Sequence, residues 1–253
     1  MKIGVVGLGL IGGSIFKGLL KQNFDVIGVS ASQNGEKIFK NYDVLKETDV
    51  VFVCSAMNKT PGILEELEKV LRPETIVTDV CSLKEFVSRK KRPYNFIPSH
   101  PMAGTEHQGF ENSFAELFEG AKWAITPFVK DEDLSVLIGL IEKLGAKPVI
   151  TTPKEHDEAV AMISHMPMVI SQALFAAASE NPLAMELAAS GFRDMTRLAM
   201  SNTEMACDMV SMNSQNIEQA ILKLYKSVGD LTSDNYAQKI EEIKIERAKM
   251  FVK

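Results

Sequence analysis

The 253-residue chain lacks the features that would tie it to nucleic acid, to an oxidising compartment or to a bilayer. Lys and Arg number 28 against 33 Asp and Glu, for a net charge of −5. No basic run is longer than Arg89-Lys90-Lys91-Arg92, which reads as a solvated helix end before Pro93, so a nucleic-acid role is disfavoured. The three cysteines, Cys54, Cys81 and Cys207, are odd in number and lack metal-ligand spacing, which argues against a disulfide framework or a zinc site. No apolar stretch approaches the roughly 18 residues of a membrane span, and Met1-Lys2 runs straight into a strand-like segment with no secretory n-region. The expected setting is the reducing cytoplasm. What remains is an ordinary composition, 45% hydrophobic and 24% charged, with material for one large domain or two modest ones.

Ile3-Gly4-Val5-Val6 is a β-rich run, followed by Gly7-Leu8-Gly9-Leu10-Ile11-Gly12 and a helical pattern to Leu20. Strand, glycine turn and helix in that order form the dinucleotide fingerprint. Gly7 permits the tight turn, Gly9 lets the backbone approach a pyrophosphate, Gly12 lets the helix pack on the strand, and the helix start at Leu10 and Ile11 faces the phosphates. The next strand, residues 25–29, ends at Ser30, where an NAD-binding chain usually carries a carboxylate. Ser30 and Ser32 can donate to a 2′-phosphate and Lys37, expected on the next helix, can approach it. The common NADP arginine is missing, but the balance tips to NADP over NAD.

Further strands are expected at 50–54, 75–78, 95–97 and 123–125, with helices such as 63–71 between several of them, and a last strand near 147–150. That alternation predicts an α/β, Rossmann-like, doubly wound, mostly parallel sheet. Ligands of such sheets sit at the carboxyl ends of the strands, so Ser55, Ser82 and His100 should line one crevice. From Thr152 the periodicity is helical to the end. Thr152-Pro153-Lys154-Glu155 is a capping box with proline at the first helical position. Asn181-Pro182 opens another helix that Ser190-Gly191 ends. Ser201-Asn202-Thr203-Glu204 reads as a second capping box for a long helix to about Ser227, and a last helix starts near Ser233. Two domains follow, 1–151 and 152–253. The second is rich in Ala and Met, which suit close helix packing, and is expected to pair with a second copy to make a homodimer.

The candidate for proton chemistry is His100, in Phe96-Ile97-Pro98-Ser99-His100-Pro101-Met102-Ala103-Gly104, because imidazole titrates near neutrality. His165 lies in Ser164-His165-Met166-Pro167, where the proline should break or kink the helix. His156 reads as a solvent-exposed neighbour of the helix cap, and His107 as surface. Arg193 and Arg197, four apart, would share a helix face suited to bidentate carboxylate binding. Equally, Arg197 can pair with Asp194 at the surface.

Taken together, Gly7–Ser14, Thr78–Lys84, Ser99–Glu106, Glu155-His156-Asp157, Ser164–Pro167 and Gly191–Arg197 resemble, in order and spacing, the prephenate/arogenate dehydrogenase family of tyrosine biosynthesis. The resemblance covers essentially the whole chain and leaves no region for a fused chorismate mutase or regulatory domain. It implies oxidative decarboxylation of prephenate or arogenate with hydride transfer to NAD(P)+. It makes His100 the residue that bonds the ring 4-hydroxyl and draws off its proton, and Ser82 a catalytic partner on the same hydroxyl. By the same resemblance Arg197 binds a substrate carboxylate, Glu106 screens the mouth of the site with Arg193 as a candidate partner, Lys84 supports the Ser82 loop at the substrate, and His165 joins the substrate-binding set. Two positions depart from the family pattern: Met168 stands where many prephenate-using members have a second histidine, and Ala206 where a tryptophan is frequent. Both would change the substrate pocket. Related readings are another two-domain dehydrogenase of small hydroxy or imino acids, which typically uses a helical-domain lysine, and a nucleotide-sensing module without turnover.

Overall fold

The computed structural model describes residues 1–105, 107–129 and 131–250. Among the described residues there are nine strands: β1 (Lys2–Val6), β2 (Asp25–Val29), β3 (Ile38–Phe39), β4 (Val50–Val53), β5 (Ile76–Asp79), β6 (Asn95–Phe96), β7 (Ser99–Pro101), β8 (Lys122–Ile125) and β9 (Lys147–Ile150). The first six make one all-parallel sheet in the order β3-β2-β1-β4-β5-β6. Strands β1, β4 and β5 are almost wholly buried, as expected of a sheet covered on both faces. The remaining three form a separate small sheet, β7-β8-β9, in which β7 runs antiparallel to β8 and β8 parallel to β9. His100 therefore belongs to a strand of its own, not to the end of a strand in the large sheet.

The helices are α1 (Leu10–Lys21), α2 (Thr60–Leu67), α3 (Glu85–Ser88), α4 (Asp131–Lys143), α5 (Pro153–Val160), α6 (Met166–Ser179), α7 (Pro182–Glu186), α8 (Ser190–Met195), α9 (Thr203–Met212), α10 (Ser214–Ser233) and α11 (Tyr236–Met250). Among the described residues no helix lies between β2 and β3. Lys37 lies in the loop into that strand, and its Nζ turns to Asp25 at the start of β2 (3.5 Å). The Thr152 capping box is present in full. Between α5 and α6 the chain does not break: residues Ala161–His165 form a π-helical turn, a widening that relieves the clash a proline at 167 makes with the preceding turn.

Pro153–Ser179 thus runs as one 27-residue helix, long and apolar enough by length and composition to cross a membrane. The apolar-run expectation missed it because His156, Asp157 and His165 interrupt the sequence. Those same polar groups are buried and hydrogen-bonded within the fold, while only 33% of the apolar window of the helix is buried. Ser190 starts α8 and does not end α7. The second capping box is replaced by Asn202, whose side chain accepts from the Met205 amide, and the long helix after it is interrupted at Asn213.

One of the hydrophobic clusters crosses between the two parts of the chain. It joins Val6, Val29, Leu83, Val87 and Phe96 to Val160, Met168, Ala206 and Met209. Met168 and Ala206, the two departures from the family pattern, are buried in this shared core. Their apolar side chains are what the seam between the parts requires.

Candidate active site

Register places the site. Val6 pairs with Val53, and Val53 with Asp79, so the segments that follow, Gly7, Cys54-Ser55 and Val80–Ser82, leave the sheet along one edge. Gly7 has φ +88°, and a Cβ there would strike the Cys54 carbonyl; a Cβ on Gly12 would strike the carbonyl oxygen of Gly7. Both glycines are demanded by packing. Gly9 differs: nothing lies within 4 Å of where its Cβ would be, and it caps α1 with no side-chain hydrogen bond to the helix. Open space beside uncapped helix N–H groups at Leu10 and Ile11 is the cradle a pyrophosphate requires, and the residues present fit a bound dinucleotide.

At the adenosine end, Ser30 is buried, its Oγ accepts the Gln33 amide (3.1 Å), and Ser32 is exposed. A second cation, Lys40 just beyond β3, closes this loop and was passed over in the sequence: its Nζ donates to the carbonyls of Gln33 (2.6 Å) and Ala31 (3.2 Å). Ser55 shares a 2.8 Å hydrogen bond with Thr60 at the end of β4.

Asp79, at the end of β5, ties the next segment down. Its Oδ1 accepts the Ser99 amide (3.2 Å), and its Oδ2 accepts the Cys81 amide (2.9 Å) and the Lys84 Nζ (2.5 Å). Lys84 also donates to the Ser99 carbonyl (2.5 Å) and is fully buried. It is therefore not a substrate ligand: a buried ammonium is tolerable only when paired, and this one is committed to Asp79 and to β7. Its effect is to clamp the half-buried Ser82 loop to the strand that carries His100.

His100 is half-buried, and its Nδ1 lies 3.0 Å from Nε2 of His156. The rings meet edge to face at 72°, centroids 5.2 Å apart. His156 Nδ1 is in turn 2.7 Å from Asp157 Oδ1. The Asp157 carboxylate also accepts the backbone amides of Lys84 (2.8 Å) and Glu85 (3.0 Å), closing the start of α3. His156 is only 3% exposed, which corrects the surface reading: α5 docks against the Ser82 loop and buries His156 and Asp157 there. A visible signal was the stripe His156, Val160, Ala161, which puts this histidine on the apolar face of the helix. Burial, then the nearby charges of His156, Lys84 and His165, hold the His100 pKa well below the ordinary imidazole value. The ring is neutral at physiological pH.

His165 is 1% exposed; its Nδ1 accepts from the Asn213 amide nitrogen (3.1 Å), which also donates to the Asp157 carbonyl (3.0 Å). Its Nε2 is buried and without a partner among the described residues.

Arg193 and Arg197 do not share a helix face. α8 ends at Met195, and Arg197 begins a 3-10 turn, Arg197–Met200. Both arginines are exposed, and it is Arg193, not Arg197, that meets Asp194 (3.4 Å). Leu198, next to Arg197, packs into the cluster that holds Leu83 and Met102, neighbours of Ser82 and of the β7 strand. Glu106 lies outside the described residues. The Cys54 and Cys81 thiols are pushed up by burial, then by neighbouring negative charge, so neither is a ready nucleophile. No cluster of metal ligands occurs among the described residues.

A dinucleotide cradle, a neutral histidine at the same sheet edge and a helical second part define a two-domain, nicotinamide-dependent dehydrogenase. Residues 29–150 match the family described as prephenate dehydrogenase, nucleotide-binding domain, and residues 152–244 the prephenate dehydrogenase dimerization domain. The chain belongs to the prephenate dehydrogenase family. It is 32% identical to Synechocystis arogenate dehydrogenase, with 98% of each chain covered and a TM-score of 0.83. Against the Aquifex aeolicus prephenate dehydrogenase solved with hydroxyphenyl propionate and NAD+, identity is 25%, coverage 99% and 98%, and TM-score 0.86. It is 33% identical to Bacillus subtilis prephenate dehydrogenase over 84% of this chain and 64% of that protein, so it spans about two thirds of that relative's length.

Proposed function

We propose that the protein catalyses the oxidative decarboxylation of prephenate, or of its amino counterpart arogenate, in tyrosine biosynthesis, with NADP as the preferred cofactor. The observation that carries this reading is His100: a half-buried imidazole, neutral at physiological pH, beside the edge of the sheet where the glycine cradle opens. A bound nicotinamide dinucleotide supplies the acceptor for the hydride lost from ring C4.

His100 Nε2 takes the 4-hydroxyl proton as C4 is oxidised, which a neutral imidazole can do and an imidazolium cannot. The electron pair of the bond between C1 and its carboxylate then enters the ring, CO2 departs, and the phenol oxygen recovers the proton from His100. Ser82 holds the same hydroxyl from the loop that Lys84 and Asp157 pin. Arg197 binds a substrate carboxylate, with Arg193 and Glu106 at the mouth and His165 Nε2 as a buried donor on the substrate side. Gly7, Gly9, Leu10, Ile11, Gly12 and Ser55 serve the dinucleotide. Ser30 and Ser32, with Lys40 anchored across their loop, favour a 2′-phosphate over a bare ribose.

We read residues 1–151 and 152–253 as the two domains, the second pairing two copies into a homodimer, in a cytoplasmic enzyme. Appearance of reduced nicotinamide with prephenate or arogenate, each with NAD+ or NADP+, tests the reading. At least one pair should turn over, with NADP+ the better cofactor; no turnover in any of the four sinks it.

A further inference from the structure

For His100 to act as a base at Nε2, its one ring proton must reside on Nδ1, and nothing in β7 itself enforces that. We propose that Asp157 and His156 form a relay that fixes the tautomer and orientation of His100, so that both are positioning residues for the reaction. The inference rests on the reading of His100 as the base.

Proton placement follows from the hydrogen bonds. The Asp157 carboxylate has three donors on it, the amides of Lys84 and Glu85 and the ring nitrogen of His156, a set that fits the ionised, acceptor-only form. His156 therefore carries its proton on Nδ1 and presents a lone pair at Nε2. That lone pair faces His100 Nδ1 at 3.0 Å, so His100 is the donor there and its own lone pair is left on Nε2. Each link is supported by position as well as by charge. Asp157 is held by the start of α3, His156 is buried, and β7 is fixed through Ser99 by Asp79 and Lys84. Around the pair stand Lys84 and Asp79 from the sheet side and His165, with Asn213, from the helical side. When His100 takes up a proton, its Nδ1–H bond to His156 is retained, so no ring has to turn during the reaction.

Asp157→Asn is the informative variant. An asparagine that donates to His156 Nδ1 moves that proton to Nε2, and His156 then donates to His100, placing the His100 proton on the nitrogen that should be free. The expected result is a fall in kcat of about 10²-fold or more with little change in KM, the order that losing a correctly protonated histidine base costs. Ring-nitrogen chemical shifts of labelled His100 should move from the Nδ1–H to the Nε2–H pattern. Because Asp157 also closes α3, His156→Phe and His156→Gln give a second route. The phenylalanine removes the acceptor and should lower kcat, and the glutamine, whose carbonyl accepts the same bond, should fall between it and the wild type. Unchanged kcat in Asp157→Asn and His156→Phe, with His100→Asn inactive, overturns the relay and leaves the base intact. A loss of activity in which the His100 nitrogens keep the Nδ1–H pattern reduces Asp157 to a structural cap and also overturns it. Near-wild-type turnover of His100→Asn is the distinct outcome that removes the base itself.

Discussion

His165 carries the clearest consequence for stability at the scale of single residues. Burial first, and the His156 charge in the same direction, bring its pKa from 6.5 down to about 4, with Asp157 opposing. An unfolded chain binds this proton near 6.5 and the folded chain only near 4, so between those values the unfolded state holds more protons. The stability associated with neutral His165 is complete above pH 6.5 and is lost as pH falls toward 4, by up to about 3 kcal/mol. Urea unfolding at pH 7 and pH 4.5 should show this decline, and His165→Asn should flatten it; an equal decline in the variant would remove His165 as its cause. At the same scale, His100 was legible in sequence because a β-rich run ending in Ser-His-Pro is a local pattern. The placements of His156 and Lys84 were not. What makes Lys84 a buried clamp is Asp79 and the Ser99 carbonyl, and what buries His156 is the docking of α5 on the Ser82 loop, both contacts between distant parts of the chain.

Among elements, the glycine turn separates two roles that the motif alone runs together. Gly12→Ala pushes a methyl group into the Gly7 carbonyl and should cost about 1–3 kcal/mol or more, visible as a lowered Tm. Gly9 has φ −94°, accessible to any L-residue, and open space at its Cβ. Gly9→Ala should therefore leave the Tm unchanged while raising KM for the dinucleotide. A matching fall in Tm for both variants would contradict the division of roles. The strand–turn–helix unit was readable because each glycine has a local reason. The breaks after Met195 and at Asn213 were not, since helical periodicity runs on through both and tertiary packing decides where the chain turns.

For the whole molecule, the shared cluster of Val6, Leu83, Val160 and Met209 explains why a Rossmann-like half and a helical half pack against one another. The helical half nevertheless leaves large apolar side chains uncovered, among them Leu187, Met200, Tyr225, Ile243 and Met250. α11 buries no residue at all. Among the described residues nothing covers these positions, and the proposed pairing with a second copy would. Sedimentation should report twice the 27.9 kDa chain mass, with a Tm that rises with protein concentration. A 27.9 kDa species at every micromolar concentration, with a fixed Tm, would rule the pairing out. Sequence composition pointed to this face, but only the fold shows which of its side chains remain open.

If a neutral His100 takes the substrate's hydroxyl proton, kcat of His100→Asn against wild type, with the best substrate and cofactor pair across pH, must show it. The wild-type rate should stay level through neutral pH and fall only in acid well below 6.5, in line with the lowered pKa, while the variant is slower by about 10²–10⁴-fold and has lost that acid limb. Turnover of the variant close to wild type, with the same pH dependence, would contradict it.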